Sequence, residues 1–363
     1  MENYDNESVT FVAWPEIKGL HNVLTSLEKS AAAEKLLGQP IMPLHIAFTK
    51  PLLYRGKVKL HGQNGGVTIE AGGRVGAQSR NTFLDKGTGL GEYVHHNRAY
   101  FADLFRPHAD QSYTRLSVFG EWCGARVQKG VALSMLAKPI FAVFAIQMDD
   151  AILYEPEDLT AFLTHNNTLP DEMHVLPWHT EAMEFNLADT AHVESRLDTV
   201  NGLTDAIDSE DPWVLRTFGV RGPGEGLVWY PINVDLATDD EPSAKGLKMK
   251  AVSGEVYASF VFKTKGEKHR VVGTKKAAQV KAPTAENASK YVELMLPEPR
   301  LQQGVQSVGG MEKKHIAAFI KWVVADVEKE GKDELAASGL EWKQVAPLIT
   351  TKAREWFLAQ SSK

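Results

Sequence analysis

The stretch RGKVKLHGQNGG, residues 55–66, places Arg55, Lys57 and Lys59 at alternate positions, the parity of one strand face. A solvated edge strand accounts for such a row. So does an amine held in a pocket for use as a nucleophile. An amine with an ordinary pKa of about 10.4 is protonated at neutral pH and cannot attack phosphorus. It must be desolvated, set among other cations, or both. Lys263 and Lys265, in FKTKG, share a parity on a second strand and could supply that positive field while holding phosphate oxygens. Two carboxylates stand beside glycines, Glu121 in VFGEW and Glu225 in GEGLVWY, and are oxygen ligands suited to Mg2+ or Mn2+. Arg80 offers a guanidinium fork for a phosphate or ribose. Phe144, in FAVFAI, offers a ring face for stacking, while Phe141 has the opposite parity and reads as core. Each residue also has a plainer reading: a solvated basic strand, carboxylates in edge turns, a surface arginine, an aromatic in the core. His61 either contacts phosphate or packs.

Taken in order, these residues resemble the motifs of the covalent nucleotidyltransferases, the polynucleotide ligases and mRNA capping enzymes. Within them the chain looks most like the RNA ligase 2-like family, whose first motif reads Lys-x-His-Gly where DNA ligases and capping enzymes have Lys-x-Asp-Gly. Here it is Lys59, His61 and Gly62. The resemblance runs from about residue 50 to 270. It implies an ATP-grasp-like nucleotidyltransferase domain and an ATP-dependent RNA ligase. Lys59 would take AMP from ATP, pass it to a 5′-phosphate RNA end, and a 3′-hydroxyl would displace it. The catalytic set implied is Lys59, Glu225, Lys263 and Lys265. The nucleotide site adds His61, Gly62, Arg80, Glu121 on the ribose hydroxyls and Phe144 on the adenine. Glu225 and Glu121 are the implied metal ligands, with ATP and Mg2+ or Mn2+ as cofactors. In two places the chain departs from the family pattern: Val58 stands where many relatives carry Glu, and Ala145 where Asp follows the stacking aromatic. A DNA-nick ligase and a catalytically idle nucleic-acid-binding protein with this fold are the alternatives.

The elements that must position these residues read as a mixed α+β body followed by helices. A helix is expected over 16–38, short strands over 52–84, and a tight hairpin at QNGG, where Asn-Gly tolerates the positive φ of primed turns, so that GVTIEA answers KVKLH. Further helices are expected at 91–106, 156–164 and about 190–207, and strands at RLSVFGEW, PIFAVFAIQM, EGLVWYPI and VYASFVFKTKG. Hairpin connections argue for antiparallel sheets with flanking helices. Residues 277–289 look like a linker. Beyond about 310, Ile316, Phe319, Ile320, Val323, Val324 and Val327 form one amphipathic face, and Trp342, Val345, Leu348, Ile349, Trp356 and Phe357 another. The expected organisation is an N-terminal helical extension (1–45), an adenylation domain (46–281) and a small all-helical C-terminal domain (290–363).

The chain has 363 residues, 43% of them apolar, and a net charge of −6. Residues 244–281 carry ten Lys and Arg against Glu255 and Glu267, a net +8, and residues 282–363 balance, so residues 1–243 carry −14. A basic segment in an acidic protein suits contact with phosphates of a nucleotide or RNA. One cysteine, Cys123, excludes an intramolecular disulfide framework and suits a reduced, cytoplasmic setting. No run approaches the ~20 apolar residues of a membrane helix. A monomer is expected.

Overall fold

The computed structural model describes residues 9–38, 51–87, 89–105, 113–125, 127, 130–232, 257–266, 285–296, 298–308, 310–331, 335 and 340–361. The basic stretch 244–281 lies outside the described residues except for 257–266. Contacts divide the chain into two units, 1–269 and 270–363.

In the first unit the chain runs β1 (Lys18–Gly19), α1 (Leu20–Leu37), β2 (Leu52–Lys59), β3 (Gly62–Glu70), β4 (Arg74–Ser79), α2 (Gly89–His96), α3 (Arg98–Asp103), β5 (Arg115–Gly124), β6 (Pro139–Met148) and β7 (Ala151–Leu153). It continues through α4 (Pro156–Leu163), β8 (Met173–Val175), β9 (Met183–Phe185), α5 (Thr190–Ser209), α6 (Pro212–Phe218), β10 (Gly226–Pro231) and β11 (Phe262–Lys265). Two sheets result. One is five-stranded in the order β1-β11-β10-β2-β9; the other is six-stranded, β4-β3-β5-β6-β7 with β8 on β6. The pairings are antiparallel except β1 with β11 and β6 with β8. The α+β reading with antiparallel sheets and flanking helices is thus what the chain adopts.

The hairpin expected at QNGG is not formed. β2 pairs with β9 and β10, whereas β3 pairs with β4 and β5 in the other sheet. Asn64, Gly65 and Gly66 lie inside β3, and these glycines are kept small by packing rather than by a turn. A Cβ on Gly65 would come within 2.3 Å of Leu90, and one on Gly66 within 3.1 Å of Gln78 and Phe119. The true turn is Gly72-Gly73, with φ of +81° and +71°, joining β3 to β4. The chain therefore changes sheets at Leu60 and His61, directly after Lys59.

Two other expectations shift. The strand expected from 256 is confined to 262–265, because residues 257–260 turn back with Tyr257 and Phe260 wholly buried. Residues 285–289, expected as linker, open a helix. The N-terminal helix packs on the first unit: Trp14, Leu20, Val23 and Leu27 join the core that holds Tyr54, Val58, Trp229 and Phe262. A second core, with Val67, Leu90, Phe101, Phe141 and Val143, lies on the other face of the six-stranded sheet.

The second unit is helical among its described residues: α7 (Ala285–Met295), α8 (Glu298–Ser307), α9 (Ile316–Glu330) and α10 (Trp342–Ser361). Phe319, Val323 and Val327 on α9 face Val345, Ile349, Ala353 and Phe357 on α10, the i, i+4 stripe of packed helices. Leu348, expected on that stripe, is exposed.

Candidate active site

Three strands of the first sheet bring the lysines together by register alone. Gly226 on β10 pairs with Lys59 on one side and Lys265 on the other, and Val228 pairs with Lys57 and Lys263. Residues paired directly across strands project to the same face, so four lysines share the face turned to the second sheet. Gly226 lets β10 lie close against β11 at this point. Its φ is +147°, and a Cβ there would lie 2.1 Å from the Thr264 carbonyl.

Glu225 precedes this glycine. The loop that delivers it is pinned by three backbone hydrogen bonds: Gly224 N–H donates to Ile207 O, Asp211 N–H to Gly222 O, and Ala132 N–H to Pro223 O, each 2.8 Å. The carboxylate is buried. Its Oε2 lies 2.5 Å from Lys59 Nζ and 3.5 Å from His61 Nδ1, and its Oε1 lies 3.2 Å from Lys265 Nζ. Burial opposes the charge on Glu225, but Lys59, Lys265 and His61 outweigh it and hold the carboxyl well below the usual range.

Glu121 faces the same region from β5, where it pairs with Asn64. Burial pushes its pKa up to about 7; Lys59 and Arg80 pull it down, Glu225 pushes it up, and a hydrogen bond from the Gly62 N–H pulls it down. Two carboxylates are therefore driven apart, one held ionised and one poised at neutrality, a pattern that separates roles within a site. Arg80, just past β4, is near enough to Glu121 to act on it. Gly62 is small for a different reason than ligand approach. A Cβ would stand 2.5 Å from the Trp122 carbonyl and 2.6 Å from Cys123 Cβ, so the glycine lets β3 lie against β5. Gly224 likewise spares a clash with Ile207, at 2.6 Å.

Of the two expected metal ligands, Glu225 faces Lys59 and Lys265 with its two oxygens, and Glu121 is a carboxylate suited to a hard divalent cation shared with substrate phosphates. Its raised pKa is the mark of a carboxylate whose desolvation its cationic neighbours do not fully offset. Among the described residues no group of three or more His, Cys, Asp or Glu converges on one point.

Phe144 is the extra residue of a β-bulge. Phe119 pairs with Ala145 and Gly120 with Val143, so Phe144 has no partner on β5. A bulge re-aims the side chain it carries, and here it turns Phe144 into the core of the first sheet while Phe141 faces the second core. Trp14, from the N-terminal segment, lies against it with ring centroids 5.2 Å apart.

Two residues near the site were not singled out by their motifs. Trp14 lay in a segment without a motif. Lys57 was read only as part of a cationic row, yet it is 1% exposed. Its Nζ donates to the carbonyls of Phe144 (3.0 Å) and Tyr154 (2.6 Å) and sits over the rings of Trp178 and Tyr230. Burial pushes its pKa down to about 7, against the pull of Glu155 and Glu157.

The chain is similar in fold to solved structures of Naegleria gruberi RNA ligase. One, a mutant with ATP and manganese, gives a TM-score of 0.43 at 16% identity, and another, with pyrophosphate, gives 0.41 at 17%. An apo mutant gives 0.42 at 17%. In each, 71% of this chain is matched to 57% of the ligase chain, so this chain spans little more than half the length of those proteins. No curated protein matches the chain. The RNA ligase family model matches residues 54–246, more than half of the 363 and the run from Tyr54 within β2 through β10. The chain belongs to the RNA ligase family.

Proposed function

We propose that the chain is an ATP-dependent RNA ligase that joins a 5′-phosphate to a 3′-hydroxyl through a covalent Lys59–AMP intermediate. The observation that carries this reading is the cluster in which Lys59 and Lys265, both partly exposed, flank Gly226 and close on the two oxygens of the buried Glu225. In the first step the Lys59 amine, after losing a proton to water, forms an N–P bond to the α-phosphorus of ATP. The bond from that phosphorus to the bridging oxygen breaks, and pyrophosphate leaves with the electron pair. Glu225 is held too strongly ionised to be a useful proton acceptor. Its role is to aim the amine and to keep Lys265 beside it. Lys265, with Lys263 one register step back, meets the charge on the α-phosphate, and this preorganised field is where most of the barrier is lowered.

In the second step a 5′-phosphate oxygen of the RNA attacks the same phosphorus, the N–P bond breaks, and Lys59 regains its proton. In the third a 3′-hydroxyl gives up its proton, attacks the 5′-phosphate and releases AMP. Arg80 and His61 hold phosphates, Glu121 the ribose hydroxyls, and Phe144 the base. A divalent cation bound at Glu121 and phosphate oxygens would neutralise charge on the leaving group.

The test is incubation with α-labelled ATP and Mg2+, denaturation, and mapping of the labelled peptide. Label on the peptide containing Lys59, lost to background in Lys59→Ala, is expected. A Lys59→Ala protein that still takes up label, or wild type that takes up none, would overturn the reading.

A further inference from the structure

We infer that Lys57 is a positioning residue: it locks the bulge that carries Phe144 to the strand that carries Lys59, and so sets the base-binding ring at a fixed distance from the attacking amine. The inference rests on the ligase reading above.

The geometry is that of a clamp between sheets. Lys57 and Lys59 lie on the same face of β2, about 7 Å apart along the strand. The bulge at Phe144 leaves that residue out of the β5–β6 ladder. Its carbonyl would be costly to bury without a donor. Lys57 Nζ supplies the donor at 3.0 Å and reaches the Tyr154 carbonyl, just past β7, at 2.6 Å. One ammonium group from the first sheet thus holds two backbone points of the second.

The clamp is rigid because its surroundings are. The segment 178–180 lies along β2, with His179 N–H donating to Gly56 O and Gly56 N–H to Thr180 Oγ1, each at 2.8 Å. This seats the Trp178 ring 4.9 Å from Nζ, and Trp178 Nε1 is itself held by Glu155 Oε2 at 3.0 Å. Tyr230, on β10, covers Nζ at 5.2 Å. Lys57 is too enclosed for its own amine to meet a nucleotide, so any effect on adenylation must pass through what it holds.

Lys57→Met keeps the length of the side chain and removes its donors. Adenylation by this variant is expected to fall by about 10- to 100-fold, the scale on which a misplacement of about 1 Å acts. Its KM for ATP should rise as well, with the adduct still on Lys59. Lys57→Arg, which restores donors, should recover part of the loss. The deciding measurement is a double-mutant cycle with Phe144→Leu, which removes the ring and keeps the carbonyl. If Lys57 acts through Phe144, the double variant is no slower than Phe144→Leu alone. Multiplying effects, or an unchanged KM for ATP in Lys57→Met, would overturn the inference. If Lys57→Met does not fold, Lys57→Gln, with an amide in place of the ammonium, enters the same cycle. Failure of the ligase reading shows separately, as absence of any adduct in wild type.

Discussion

Lys57 and Lys59 occupy one face of one strand, and their surroundings make opposite demands on them. Lys59 stands at the end of β2, where the chain leaves for the second sheet, and meets a carboxylate at 2.5 Å. Lys57 stands one turn of the pleat earlier and meets two carbonyls and two aromatic rings. Burial lowers the pKa of Lys57 to about 7, which on proton availability alone would make it an excellent nucleophile at neutral pH. It is enclosed, and no phosphorus can reach it. Lys59, partly exposed and ion-paired, has the access. A lowered pKa nominates a functional group only where the group can touch a substrate. Elsewhere it records the cost of a buried structural cation.

The sharpest way to break this comparison is to remove the counter-ion at one end. Glu225→Gln leaves Lys59 and Lys265 facing each other across Gly226 without a negative charge between them. Loss of one partner from a buried ion pair costs about 3–5 kcal/mol, and the lower end applies because both ammonium groups keep some exposure. Chemical denaturation should show a destabilisation of about 3 kcal/mol together with loss of adduct. A variant as stable as wild type would mean that Glu225 does not hold the two lysines at all. At the other end, Lys57→Met removes no counter-charge: it leaves the carbonyls of Phe144 and Tyr154 without their donor and at the same time relieves the burial penalty on the amine.

That penalty has a pH signature. The folded pKa of Lys57 is about 7 against an ordinary value of 10.5, so between these values the unfolded chain binds more protons. Stability therefore rises with pH across that window, by as much as about 1.4 kcal/mol per unit. The penalty is complete below pH 7 and relieved towards 10.5. Thermal unfolding of wild type and Lys57→Met between pH 7 and 10 should show the wild type gaining on the variant. Parallel curves would mean that Lys57 is not buried as a titrating amine.

Much of the fold was legible because its signals are periodic. The helix opening at Leu20, the long strands Arg115–Gly124 and Pro139–Met148, and the stripe Phe319, Val323, Val327 follow from spacing alone. The matching parity of Lys263 and Lys265 placed both on the face that Lys59 shares. What failed was local chemistry read without its neighbours. Asn64-Gly65 is a strong turn signal, yet it lies in a strand paired with β5, and Gly65 is small because Leu90 occupies the space a side chain would need. The sheet crossing at Leu60 and His61 has no turn residue to mark it. Lys57 reads in the sequence only as one member of a cationic row, and its partners, Phe144, Tyr154, Trp178 and Tyr230, lie at sequence distances that no local pattern reports. The bulge at Phe144 depends on the register of two strands, which one strand's sequence does not contain.

Glu121 offers the finest probe of the same contrast, on the acidic side of neutrality. Burial raises its pKa from 4.5 to about 7, so between these values the folded chain holds the proton more tightly than the unfolded one. Its contribution is complete below pH 4.5 and is lost as pH rises through 7, the reverse of the Lys57 window. Glu121→Gln cannot ionise and should lose this decline, gaining on wild type between pH 5 and 7 by less in total than the Lys57 effect, since the shift is smaller. A divalent cation sharpens the test. If Glu121 is the carboxylate that meets the cation, Mg2+ or Mn2+ supplies the missing counter-charge, holds Glu121 ionised, and raises the wild-type melting temperature more at pH 7.5 than at pH 5. The increment should vanish in Glu121→Gln. An equal increment in both proteins would place the cation elsewhere and return Glu225 to consideration, with Lys59 displaced from it when the metal binds.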